Sequence, residues 1–188
     1  MKILLTGHGR CGSTSLHYGL SDVMNHKMVL EPFNRELWKS YYKTNPPFQK
    51  GDEIGENVIF KTLSGHSPDW IEKNYSKFDR TIILMRDNLR DTVLSHQNAI
   101  VHGYLNEYKG TENITKKSLE YVFNNYKWLI DFHKKTVTSR LIWYNDIYTT
   151  DFNKSKDTIR SLDLNLSEEQ LSMLYEKYLN PRFRLRKN

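Results

Sequence analysis

A chain of 188 residues is long enough to bury a real core, and it is read most economically as one domain over 1–188. Hydrophobic residues make up 38% and aromatics 13%, which excludes a disordered chain poor in such side chains. The formal charge of +6 and the pI near 9.2 favour an anionic partner, with nucleotide, nucleic acid, acidic polysaccharide and membrane surface all open at this level.

In chain order, Lys2 to Thr6 reads as a buried strand and Ser13 to Asn25 as a helix with Leu16, Leu20 and Val23 on one face. Lys27 to Leu30 suits a second strand ending at Glu31-Pro32, and Arg35 to Lys43 a helix. Residues 44–57 form a loop by their Pro, Gly and polar content. Asn57 to Leu63 is a third strand, and Pro68 opens a short helix. Thr81 to Met85 is the clearest buried strand, followed by a helix to about Val101 and a polar loop over 102–113. A long amphipathic helix begins at Thr115, and Arg140 to Tyr144 is a further strand. Ser167 to Gln170 makes a capping box for a last helix before the basic ending RFRLRKN.

Strands alternating with helices predict an α/β fold: a central parallel sheet flanked by helices on both faces, in the three-layer manner of P-loop NTPases. Ligands of such sheets sit beyond the carboxyl ends of the strands. Residues 7–15, 31–34, 61–66, 86–95 and 144–148 all follow predicted strands and are expected along that one edge. The single Cys excludes an internal disulfide framework and fits a reducing compartment. No apolar run approaches the roughly 20 residues of a membrane helix. The start of the chain is too short for a signal peptide, so a soluble, cytoplasmic protein is expected, with neither a membrane nor a nucleic acid as partner.

The chemistry concentrates in two stretches. In GHGRCGSTS (7–15), glycines let backbone N–H groups turn toward an anion, and the following helix adds its positive end. Arg10 supplies a forked cation, while Ser13, Thr14 and Ser15 supply hydroxyls. A nucleotide-hydrolysing P-loop needs a lysine after its second glycine, and Ser13 stands there, which disfavours that chemistry. Cys11 suits loop packing better than a low-pKa nucleophile, since the residue six further on is His17 rather than the Arg of a Cys phosphatase. In ILMRDNLRDTVLSHQNA (83–99), Arg86 leaves a buried strand and Ser95 lies about two turns into the next helix. That cation and hydroxyl could grip a second anion, so the ligand expected has two anionic ends.

These stretches resemble a known family. GRCGSTSL (9–16) is similar to the 5′-phosphosulfate loop of sulfotransferases that use 3′-phosphoadenosine-5′-phosphosulfate (PAPS), closest to the carbohydrate and bacterial branches, where Arg often stands at the Arg10 position. RDNLRDTVLS (86–95) resembles that family's 3′-phosphate element, LEPFN (30–34) its Glu-Pro segment, and WYNDIYTTDF (143–152) its stretch near the final strand, with Asn145 in place of the usual acid. LNLSEEQLSML (164–174) is like the helix that follows, whereas the ending RLRKN lacks the family's Arg-Lys-Gly.

The resemblance implies sulfuryl transfer from PAPS to a hydroxyl or amine of a small-molecule or carbohydrate acceptor, leaving PAP and needing no metal. Arg10, Cys11, Gly12, Ser13, Thr14 and Ser15 would hold the 5′ end, and Arg86 and Ser95 the 3′-phosphate. Catalysis would fall to Arg10 and a base, with Glu31 first and His66 second. Lys61 could polarise the transferring group, though a lysine at a strand end is more often solvated. Phe33, Trp38, Tyr41, Tyr42 and Phe48 could stack on a flat acceptor or simply pack a helix onto the sheet. Two other classes remain: a kinase of nucleotides or small molecules, and a non-catalytic nucleotide or polyanion binder using Arg182, Arg184 and Arg186 on one side of a strand.

Overall fold

The computed structural model describes residues 1–34, 37–102 and 113–184. At the centre of its sheet, β1 (Lys2–Gly7) pairs in parallel with β3 (Val58–Leu63) on one side and β4 (Arg80–Met85) on the other. Outside these lie β2 (Lys27–Leu30) against β3 and β5 (Ser139–Trp143) against β4, giving the order β2-β3-β1-β4-β5, parallel throughout. Parallel strands need crossovers, and helices supply them: α1 (Ser13–Met24), α2 (Pro68–Asn74), α3 (Leu89–His102) and α4 (Lys116–Lys135), followed after β5 by α5 (Tyr144–Ile147), α6 (Phe152–Arg160), α7 (Glu168–Leu174) and α8 (Pro181–Arg184).

The period of two along each strand divides the core into two layers. Ile3 and Leu5 of β1, with Ile59, Ile82, Leu84 and Ile142, face Leu16 and Leu20 of α1 and Leu171 and Leu174 of α7. Leu4, with Phe60, Ile83 and Met85, faces Trp70 and Ile71 of α2 and Leu129 and Phe132 of α4. The expected three-layer α/β architecture is therefore the one observed. β2 has the bounds read from sequence, and the other strands agree to within a residue. The Thr115 side chain caps α4 by accepting from the Ser118 N–H at 3.3 Å, and Ser167 and Gln170 form the expected capping box of α7.

Three segments differ from the expectation. Leu37–Tyr42 is a π-helical turn, and the predicted start at Arg35 lies outside the described residues. α6 was not anticipated because only Phe152 and Ile159 are apolar in FNKSKDTIR; its start is fixed by Asp151, whose side chain accepts from the Lys154 N–H at 3.1 Å. Pro181–Arg184 is helical, so Arg182 and Arg184 do not alternate along a strand. The side chain of Arg184, the whole of Arg186 and most of the loop expected over 102–113 lie outside the described residues. Among the described residues no helix is long and apolar enough to cross a membrane.

Two imidazoles sit inside this frame, His17 at 0% and His8 at 1% exposure. His17 Nε2 donates to the Ile59 carbonyl at 2.8 Å, and its buried Nδ1 has no hydrogen-bond partner among the described residues. Burial pushes both rings from the ordinary 6.5 to about 4. Both are neutral in the folded chain and charged below pH 6.5 in the unfolded one. Their contribution is complete above pH 6.5 and is lost as pH falls through about 4, at about 3 kcal/mol each. Denaturant titrations are expected to show that loss between pH 6.5 and 4, and His17→Gln, which keeps an N–H donor without the titration, is expected to reduce the slope. An identical slope in the variant would contradict this reading.

Candidate active site

The loop between β1 and α1 is shaped by close approaches. A Cβ on Gly7 would lie 2.4 Å from the Leu84 carbonyl oxygen, and one on Gly12 2.8 Å from the rings of Tyr144 and Tyr148. Gly12 has φ +82° and Arg10 φ 70°, left-handed conformations that only the first of these residues adopts without strain. The Tyr148 hydroxyl donates to the Gly12 carbonyl at 2.6 Å, tying α5 to the loop. A Cβ on Gly9 would meet nothing within 4 Å, so that side of the loop is open. α1 follows from Ser13, and among the described residues no side chain caps it and no acid stands in its first turn.

The predicted loop residues divide by orientation. Cys11 is fully buried in the core layer facing α1, and burial pushes its thiol up, so any part it has in binding falls to its backbone. Ser13 is buried, Ser15 is half-buried and Thr14 is exposed. Thr14 Oγ1 accepts from Lys61 Nζ at 2.9 Å. Arg10 Nε donates to Ser95 Oγ at 3.1 Å, so the two stretches singled out in the sequence meet across 85 positions. Arg86, leaving β4, holds its guanidinium 4.7 Å from the Tyr144 ring centroid, and its buried Nε has no partner among the described residues. The Arg86 carbonyl accepts from the Tyr126 hydroxyl at 2.6 Å.

Beside the loop lies a second group that the sequence marked only in part. Lys61 is 1% exposed, not solvated, and forms a buried ion pair with Glu31. Glu31 has φ 40°, and its N–H donates to the Lys61 carbonyl at 2.7 Å while Asn34 Nδ2 donates to its Oε2 at 3.1 Å. Burial pushes the Glu31 carboxyl up, but the Lys61 charge and the hydrogen bonds from Lys61 and Asn34 outweigh it and hold it below the usual range. His66 Nδ1 is 3.9 Å from Glu31 Oε2, and its side chain is 28% exposed. Burial lowers its pKa; the Glu31 charge opposes that and the Lys61 charge adds to it.

The aromatic group near Glu31 divides in two. Phe33 and Phe48 pack on Trp70 and Phe60 in the core layer facing α2. Trp38 instead stacks on Tyr42 at 4.7 Å between ring centroids and donates its indole N–H to the Glu31 carbonyl at 3.0 Å. The side chain of Tyr41 lies outside the described residues. Sequence reasoning missed the burial of Lys61, and the only available signal was its place in VIFKTL, a strand buried at all six positions. It predicted α4 but gave it no part in the site, where its Tyr126 ring stacks on His8 at 4.7 Å and its Tyr121 ring stacks on His96 at 4.5 Å. Among the described residues no group of three or more His, Cys, Asp or Glu is placed to hold a metal ion.

No protein-family model matches the chain, and no curated protein matches it. Its fold is like that of a solved one, mouse sulfotransferase SULT7A1 complexed with PAP. The TM-score is 0.57 at 12% identity, over 93% of this chain and 62% of that one. The likeness is one of fold. The chain spans about three fifths of that protein's length.

Two glycines at opposite sides of the loop separate architecture from access. Gly12→Ala is expected to cost at least about 1–2 kcal/mol in thermal or chemical unfolding, from left-handed strain and collision with the tyrosines. Gly9→Ala is expected to leave stability within about 0.5 kcal/mol. Equal losses for the two would contradict the packing described.

Proposed function

We propose that the chain is a PAPS-dependent sulfotransferase acting on a hydroxyl or amine of a small-molecule or carbohydrate acceptor. The observation that carries this reading is the meeting of Arg10 with Ser95, which joins two anion-facing stretches into one site. The donor set suits a ligand with anions at both ends. The uncapped α1 N-terminus, Arg10 and the open face of Gly9 suit one anion, and Arg86, whose buried Nε has no hydrogen-bond partner among the described residues, suits the other. The PAP named in the related fold is consistent with it. Arg10 in the loop is what favours the carbohydrate and bacterial branch.

PAPS supplies an activated sulfuryl group, whose bond to the 5′-phosphate breaks as a bond to the acceptor oxygen or nitrogen forms. The protein's part is positioning and charge stabilisation. Backbone N–H groups of residues 9–15, with Arg10 and the hydroxyls of Ser13, Thr14 and Ser15, hold the 5′ end and neutralise charge growing on the leaving phosphate. Arg86 and Ser95 hold the 3′-phosphate. Lys61, 2.9 Å from the Thr14 hydroxyl, brings a second cation to the loop.

The base is assigned to His66 ahead of Glu31, reversing the order expected from sequence. A carboxylate paired with Lys61 and bonded by Asn34 holds its charge and is a weak proton acceptor. A neutral imidazole with its pKa below 6.5 is free to take the acceptor's proton at pH 7. Glu31 then fixes Lys61 and faces the imidazolium that forms.

Calorimetric titration with adenosine 3′,5′-bisphosphate and with ATP, with and without magnesium, tests the donor. The bisphosphate is expected to bind without metal and more tightly than ATP, and Arg86→Ala is expected to abolish the preference. Equal binding, or an absolute magnesium requirement, would sink the reading. For the base, His66→Gln is expected to retain nucleotide binding while transfer falls by 10²–10⁴-fold. Wild-type kcat/KM is expected to decline in acid only below pH 6.5, as the imidazole becomes protonated. Undiminished transfer by His66→Gln would return the role to Glu31.

A further inference from the structure

Tyr126 of α4 touches both anion-facing stretches at once. Its ring stacks on His8, inside the loop that follows β1, with 4.7 Å between centroids and 26° between planes. Its hydroxyl donates to the carbonyl of Arg86, the first residue after β4, at 2.6 Å, and lies 3.0 Å from Thr92 Oγ1 in the first turn of α3. One residue earlier, Asn125 Oδ1 accepts from Ser64 Oγ at 2.7 Å, and Ser64 Oγ is also 3.2 Å from the Gly7 carbonyl. α4 thus rests on the carboxyl ends of β1, β3 and β4 together. The Arg10–Ser95 bond joins the two stretches through side chains assigned above to the ligand, whereas Tyr126 joins them through the His8 ring and the Arg86 backbone.

We infer that Tyr126 is a positioning residue that sets the spacing between the two anion-holding stretches, and so the selectivity for ligands anionic at both ends over ligands anionic at one. The inference rests on the donor reading above. Its physical basis is the difference between the two contacts. The ring stack fixes His8 and survives loss of the hydroxyl. The hydrogen bond fixes the Arg86 backbone, from which the guanidinium projects, and does not survive it. A hydrogen bond of this kind is worth about a factor of ten when its loss is felt wholly at one ligand contact.

The test is Tyr126→Phe, which keeps the ring and its volume, titrated by calorimetry with adenosine 3′,5′-bisphosphate and with adenosine 5′-monophosphate. Affinity for the bisphosphate is expected to fall about tenfold while that for the monophosphate stays within about twofold. The binding stoichiometry reports the folded fraction separately, so partial unfolding cannot mimic a change in the ratio of the two affinities. If the wild type prefers the bisphosphate and the variant keeps that ratio, whether both affinities hold or both fall together, the role of Tyr126 is overturned and the donor reading stands. If the wild type has no preference for the bisphosphate, the donor reading falls and this inference with it.

Discussion

A lysine buried to 1% exposure in the middle of a parallel sheet must have a counter-charge, and much of the site is arranged around that requirement. β3 lies between β2 and β1, so Lys61 has strands on both sides and little route to water. Glu31 comes off the end of the neighbouring β2 and meets it only by adopting φ 40°, a conformation a glutamate does not choose by itself. The same ammonium reaches Thr14 at the head of α1, and the same carboxylate faces His66 beyond β3. Leaving either partner of a buried pair alone costs about 3–5 kcal/mol. One electrostatic constraint therefore fixes the ends of β2 and β3, the first turn of α1 and the orientation of the histidine's neighbour.

Strain elsewhere follows the same logic. Among the described residues seven non-glycines have positive φ, and four of them are Asn or Asp, which tolerate it. Of the other three, Arg10 and Glu31 belong to the candidate site. Both carry charges that the fold holds in place: Arg10 against Ser95, Glu31 against Lys61. Charges held by contacts within the chain are positioned by the fold itself, which the proposed catalysis by positioning and charge requires.

The sheet was legible because its strands are short apolar runs bounded by turn residues, and the period of two sorts them correctly onto two faces. The turn at 7–15 was legible because glycines and hydroxyls stand between an apolar run and an amphipathic one, and Gly12 adopts the left-handed φ of +82° just before α1. Lys61 was not, since a charged residue near a strand end ordinarily points to water and only the pairing order buries it. Glu31 was ranked over His66 as a base because it ends a predicted strand near the loop and matches the Glu-Pro segment of the family the chain resembles; its ion pair with Lys61 is tertiary and leaves no mark in the sequence. Tyr126 gave no signal either: on a long amphipathic helix it reads as one more residue of the apolar face, and its contacts lie 40 and 118 positions away in the chain.

The central claim is that one ligand bridges the loop after β1 and the start of α3. A crystal structure of the protein with adenosine 3′,5′-bisphosphate tests it most directly. The expected result places the 5′-phosphate on the backbone of residues 9–15 beside Arg10, and the 3′-phosphate on Arg86 and Ser95. A nucleotide bound elsewhere, or held at the loop with its 3′-phosphate free in solvent, would contradict it.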